Sequence, residues 1–75
     1  MITARTAKGT QVHVHMIEDC DINKGGYFCQ VYTAECDEDN IDYFVIHVED
    51  IINTKDPYHE AEKLAIKYIK SITEY

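Results

Sequence analysis

This sequence of 75 residues has few basic residues, no long apolar run and no closely paired cysteines. Seven Lys and Arg residues stand against 14 Asp and Glu residues, and the formal net charge is −7. That deficit of positive charge argues against a nucleic-acid binder that relies on phosphate contacts. Nothing in the chain is specific enough to name a reaction.

The apolar segments are too short to span a bilayer, and the first residues contain no apolar signal-peptide core. The three cysteines, Cys20, Cys29 and Cys36, lack a C-x-x-C spacing. We therefore expect free thiols in a reducing compartment, and a cytoplasmic location.

A chain of this length predicts one small domain, residues 1–75, with no internal repeat and no linker. A core of this size supplies only a few kcal/mol of net stability. A second copy or a partner protein is therefore a reasonable expectation.

Three segments alternate between apolar and polar residues with a period of two: residues 10–17, 27–35 and 42–49. This pattern predicts three β-strands. Turn residues, among them Asn23, Gly25 and Gly26, separate the first two segments. The short connections favour an antiparallel meander.

The segment 57–73 predicts an amphipathic helix. Asp56 and Pro57 form a favourable N-cap and first turn, because a carboxylate accepts from free backbone N–H groups and proline loses no needed donor there. The predicted architecture is an α+β domain of two layers, βββα, with a three-stranded antiparallel meander and one C-terminal helix on one face.

Strand alternation divides the side chains between the two faces of this sheet. One face is apolar and is predicted to lie under the helix. It comprises Val12, Val14, Met16, Tyr27, Cys29, Val31, Phe44, Ile46 and Val48.

The opposite face is rich in aromatic and histidine side chains, which is unusual for a surface left to water. Its members are His13, His15, Phe28, Gln30, Tyr32, Tyr43, Val45 and His47. We predict that His13, His15, Phe28, Tyr32, Tyr43 and His47 bind a partner. A second copy of the chain and a different protein both fit this face. Single-stranded RNA ranks third, because the face lacks the basic rim that binding of the RNA backbone requires.

Acidic residues are concentrated in residues 18–56, where eleven carboxylates stand against Lys24 and Lys55. The connections between the strands carry most of them, and we predict a second partner-binding group there. Its members are Asp19, Asp21, Asp37, Glu38, Asp39 and Asp42. The alternative is that this charge only keeps the protein soluble and discourages edge pairing.

The segment from Asp37 does not form a calcium loop, because its sixth position is Asp42 and its twelfth is Val48, in place of glycine and glutamate. His13 and His15 share one strand face and could ligate a metal, but a third ligand such as His47 or Cys29 is needed. No metal site and no cofactor is expected.

An enzyme built on Cys29 or Cys36 with a histidine is not favoured, because acidic surroundings raise a thiol pKa. The leading expectation is a non-enzymatic protein-interaction module. One such module is a small acidic inhibitor, of the phage or mobile-element type, that binds a basic surface of a nucleic-acid-handling protein. A metal-binding or sensory domain and a structural homodimer are the alternatives.

Overall fold

The computed structural model describes residues 2–33 and 40–75. The described residues form four strands, β1 (Ile2–Arg5), β2 (Gln11–Glu18), β3 (Tyr27–Thr33) and β4 (Asp42–Ile46). A short 3₁₀ helix, Val48–Asp50, follows β4, and the helix α1 spans Pro57–Ser71. The architecture is an antiparallel sheet with one C-terminal helix, so the α+β class is confirmed.

The prediction of three strands is wrong, because the sheet has four in the order β1-β2-β3-β4. The missed strand β1 pairs with β2, and Ile2 lies opposite Val14. Two backbone hydrogen bonds close the turn between them: Thr6 N donates to Thr10 O, and Gly9 N donates to Thr6 O. Gly9 in this turn has a φ of +86°. A positive φ of this kind is accessible mainly to glycine.

Three of the predicted elements have different bounds in the structure. The strand predicted over 42–49 ends at Ile46, because the chain turns into the 3₁₀ helix. The helix predicted over 57–73 ends at Ser71, and Ile72 is extended. The strand predicted over 10–17 is shifted by one residue and spans Gln11–Glu18. The strand predicted over 27–35 agrees with β3 as far as Thr33, and its last two residues lie outside the described residues.

The N-terminus of α1 follows its sequence signals. The Asp56 carboxylate accepts a hydrogen bond from the His59 backbone N–H at 3.2 Å, and Pro57 occupies the first turn. Small buried residues, Ala61 and Ala65, allow the helix to approach the sheet closely, and Ile69 is fully buried beside them. Lys63, Lys67 and Lys70 are exposed on the outer side.

The core lies between α1 and one face of the sheet. Its buried strand residues are Ala4, Val12, Val14, Cys29, Val31 and Ile46. Phe44 adds a ring that stacks on Tyr68 of α1, with centroids 4.2 Å apart. This confirms the face that the alternation predicts to lie under the helix, except that Val48 belongs to the 3₁₀ helix. Within the described ranges, no helix is long and apolar enough to cross a membrane.

Candidate interaction surface

The sheet face turned away from α1, called the open face below, consists of the strand residues that alternate with the core positions. Eleven residues form it: Thr3, Arg5, Gln11, His13, His15, Ile17, Phe28, Gln30, Tyr32, Tyr43 and Val45. None of these eleven is acidic, although the chain has a net charge of −7.

Strand register arranges the open face in rows. His13 lies opposite both Thr3 and Tyr32, and Gln30 lies between His15 and Tyr43. Polar side chains are bonded both within one row and between the two rows. His13 Nδ1 is 3.1 Å from Thr3 Oγ1, and the Tyr32 hydroxyl donates to Gln30 Oε1 at 2.9 Å.

One corner of the open face is apolar. Phe28 lies between Ile17 and Val45, and its ring centroid is 5.6 Å from that of Tyr43. We call these four residues, Ile17, Phe28, Tyr43 and Val45, the apolar patch. Tyr43 is 62% exposed, Val45 41% and Ile17 40%, so the patch presents large apolar groups to solvent.

The predicted members of the partner-binding face are brought together with one exception. His13, His15, Phe28, Tyr32 and Tyr43 all lie on the open face. His47 lies outside the strands that form this face, because β4 ends one residue earlier and His47 precedes the 3₁₀ helix.

Two residues of the apolar patch were not predicted to bind a partner. Val45 was counted on the face without a role, and Ile17 was not assigned to it. The signal for Ile17 was present in the sequence, because it continues the alternation of His13 and His15 along the same strand. Thr3 and Arg5 were missed together with β1.

A second surface lies at the end of the sheet where β2 ends and β3 begins. It is called the acidic end below and carries Glu18, Asp19, Asp21, Glu49, Asp50 and Asp56. The Asn23 side chain holds this end together: its Nδ2 donates to Ile46 O at 3.0 Å, and its Oδ1 accepts from Val48 N at 2.9 Å.

Tyr27 reports the electrostatics of the acidic end. Its ring packs edge-on against Tyr58 of α1, with centroids 5.7 Å apart. Burial raises the pKa of the Tyr27 hydroxyl, and the nearby Glu18, Tyr58 and Asp56 add to the rise. The carboxylate of Glu18 in β2 and that of Asp56 at the N-cap of α1 therefore both raise the pKa of this one hydroxyl.

The predicted acidic residues have different environments. Asp21 is exposed, whereas Asp19 is half-buried and its Oδ1 accepts from Asp21 N at 2.9 Å. Asp42 lies at the opposite end of the sheet, where its carboxylate accepts from Tyr43 N and from the Tyr75 hydroxyl. Asp37, Glu38 and Asp39 lie outside the described residues.

The residues considered for metal binding are not assembled. Cys29 lies beneath α1, on the other side of the sheet from His13 and His15. His47 is four positions along the chain from Tyr43, which lies in the row of His15, and two interstrand spacings separate His15 from Tyr43. The separation is therefore on the order of 16 Å. In residues 2–33 and 40–75, no group of three or more His, Cys, Asp and Glu residues could hold a metal ion.

The thiol considered for catalysis is inaccessible. Cys29 is fully buried, and burial raises its pKa to about 11. A thiol in this state is protonated at neutral pH and is a poor nucleophile. Cys36 lies outside the described residues, and Cys20 is exposed and free.

No protein-family model, curated protein or solved structure matches this chain.

Proposed function

We propose that this chain is a non-enzymatic protein-interaction module that binds a partner protein through the open face. The observation that carries the proposal is the apolar patch, where Tyr43, Val45 and Ile17 are each at least 40% exposed beside Phe28. Exposed apolar groups clustered on one face are typical of protein interfaces. Tyrosine in particular contributes large contact area at interfaces.

The charge distribution supports a basic partner. The open face carries Arg5, two histidines and no carboxylate, while the acidic end lies next to the apolar patch. Because carboxylates outside the contact area attract a basic partner without being desolvated, they increase the association rate. A small acidic inhibitor of a nucleic-acid-handling protein, of the phage or mobile-element type, fits this arrangement. A cytoplasmic location belongs to the same proposal, since Cys20 is an exposed free thiol.

A second copy of the chain is the competing occupant of the open face. The face itself contains no carboxylate, so like charges do not meet at its centre. Sedimentation velocity at high micromolar concentration distinguishes the two occupants. A dimer that dissociates in the Tyr43→Thr, Val45→Thr variant would assign the face to the homodimer.

The experiment for the proposed function is quantitative capture from the native lysate. Wild-type protein, the Tyr43→Thr, Val45→Thr variant and a Lys67→Gln control on the outer side of α1 are immobilised and compared. Threonine preserves the strand preference at both positions, so we expect the melting temperature to change little.

We expect wild type and Lys67→Gln to retain the same protein, and the open-face variant to lose at least nine tenths of it. Retention should also decrease between low and high salt, because the carboxylates contribute by long-range attraction. Equal retention by all three proteins would refute the proposal.

A further inference from the structure

The acidic end presents an isoleucine that the fold does not use. Ile22 lies in the connection between β2 and β3 and is 98% exposed. Isolated apolar residues on a surface are common, but nearly complete exposure of an isoleucine in a rigid turn is not explained by packing.

The turn that carries Ile22 is fixed by hydrogen bonds on both sides. Asp19 N donates to Gly26 O at 3.0 Å, Lys24 N to Asp21 O at 3.1 Å and Gly26 N to Asn23 O at 2.8 Å. The Asn23 side chain next to Ile22 joins this turn to Ile46 and Val48. The backbone that carries Ile22 is therefore held in place before any partner arrives, which lowers the entropy cost of binding.

A second exposed apolar group lies at the same end. Ile52, two residues after the 3₁₀ helix that Asn23 contacts, is 63% exposed. Carboxylates adjoin both isoleucines in the sequence: Asp19 and Asp21 precede Ile22, and Glu49 and Asp50 precede Ile52. Lys24 and Lys55 are the basic residues of these segments.

We infer that the acidic end is a second docking surface, which binds a cationic amphipathic segment of a protein with Ile22 and Ile52 as its apolar anchors. Apolar groups bordered by carboxylates are complementary to a helix that carries leucine on one side and lysine or arginine on the other. This inference goes beyond the proposed function, because none of the residues that carry it belongs to the open face.

The probe for this surface is a fluorescently labelled helical peptide of leucine and lysine, with the two residue types segregated on opposite sides. A peptide of the same composition in scrambled order controls for charge alone. Fluorescence anisotropy gives the dissociation constants for wild type and for Ile22→Ser and Ile52→Ser. Ile41→Ser is the matched control, since Ile41 is 43% exposed and precedes β4 at the opposite end of the sheet.

We expect wild type and Ile41→Ser to bind the amphipathic peptide equally and the scrambled peptide at least several-fold more weakly. Ile22→Ser should weaken binding about tenfold, which corresponds to losing the burial of one isoleucine side chain. Its melting temperature should equal that of wild type, because Ile22 has no packing role. Equal affinity for both peptides, or an Ile22→Ser variant that binds like wild type, would overturn the inference.

Discussion

At the scale of single residues, Tyr75 shows how one side chain connects distant parts of the sequence. Its hydroxyl donates to Asp42 Oδ2 at 3.2 Å and so joins the segment after α1 to the start of β4. Burial, followed by the charge of Asp42 and this hydrogen bond, raises the Tyr75 pKa to about 12.

The shift of the Tyr75 pKa predicts a loss of stability in alkali. The neutral hydroxyl is favoured in the folded protein, so its contribution is complete below the ordinary pKa of 10.0 and disappears as the pH approaches about 12. We expect the free energy of unfolding to decrease across this range, and to decrease less steeply in Tyr75→Phe. Urea denaturation at a series of pH values measures both slopes.

The control for this prediction is Tyr43→Phe, because the Tyr43 ring is 62% exposed on the open face. Its slope should match that of wild type. Identical slopes for wild type and Tyr75→Phe would show that the contact with Asp42 does not couple Tyr75 ionisation to folding.

At the scale of secondary-structure elements, features that depend on neighbouring residues were predictable from the sequence. Features that depend on contacts between distant parts of the chain were not. The start of α1 follows from Asp56 and Pro57, because capping depends on neighbouring residues. The two faces of β2 and β3 follow from alternation for the same reason. Strand β1 was missed because it has only four residues, one of them an alanine of low strand preference, so the alternation is too short to detect.

The end of β4 and the role of Asn23 could not be predicted locally. Asn23 contacts residues that are 23 and 25 positions away in the sequence. Its amide satisfies the Ile46 carbonyl and the Val48 N–H where the chain leaves the sheet and enters the 3₁₀ helix. The strand pattern continues through residue 49, so this turn depends on a tertiary contact and not on the local sequence.

Removal of the Asn23 amide should therefore destabilise the fold. We expect Asn23→Ala to lower the free energy of unfolding by about 1–3 kcal/mol, because a part-buried N–H and carbonyl lose their partners. Asn40→Ala is the control: its amide makes an exposed 3.3 Å hydrogen bond to Asp42 O, and we expect a loss below about 0.5 kcal/mol. Chemical denaturation of the two variants measures this difference, and equal losses would contradict the bridging role of Asn23.

At the scale of the whole molecule, α1 covers one face of the sheet and leaves the other to solvent. The described carboxylates lie mainly at the acidic end, while the open face carries none. The existence of an aromatic open face was predictable from alternation. Its apolar corner was not fully predictable, because Ile17, Phe28, Tyr43 and Val45 become neighbours only through the strand register.

A photo-crosslinking residue introduced separately at position 43 and at position 67 tests most directly whether the open face contacts the partner. Tyr43 lies in the apolar patch, and Lys67 lies on the outer side of α1. With the partner retained by the wild-type protein, we predict a covalent adduct from position 43 and none from position 67. An adduct from position 67 without one from position 43 would show that the partner binds elsewhere and would contradict the proposed function.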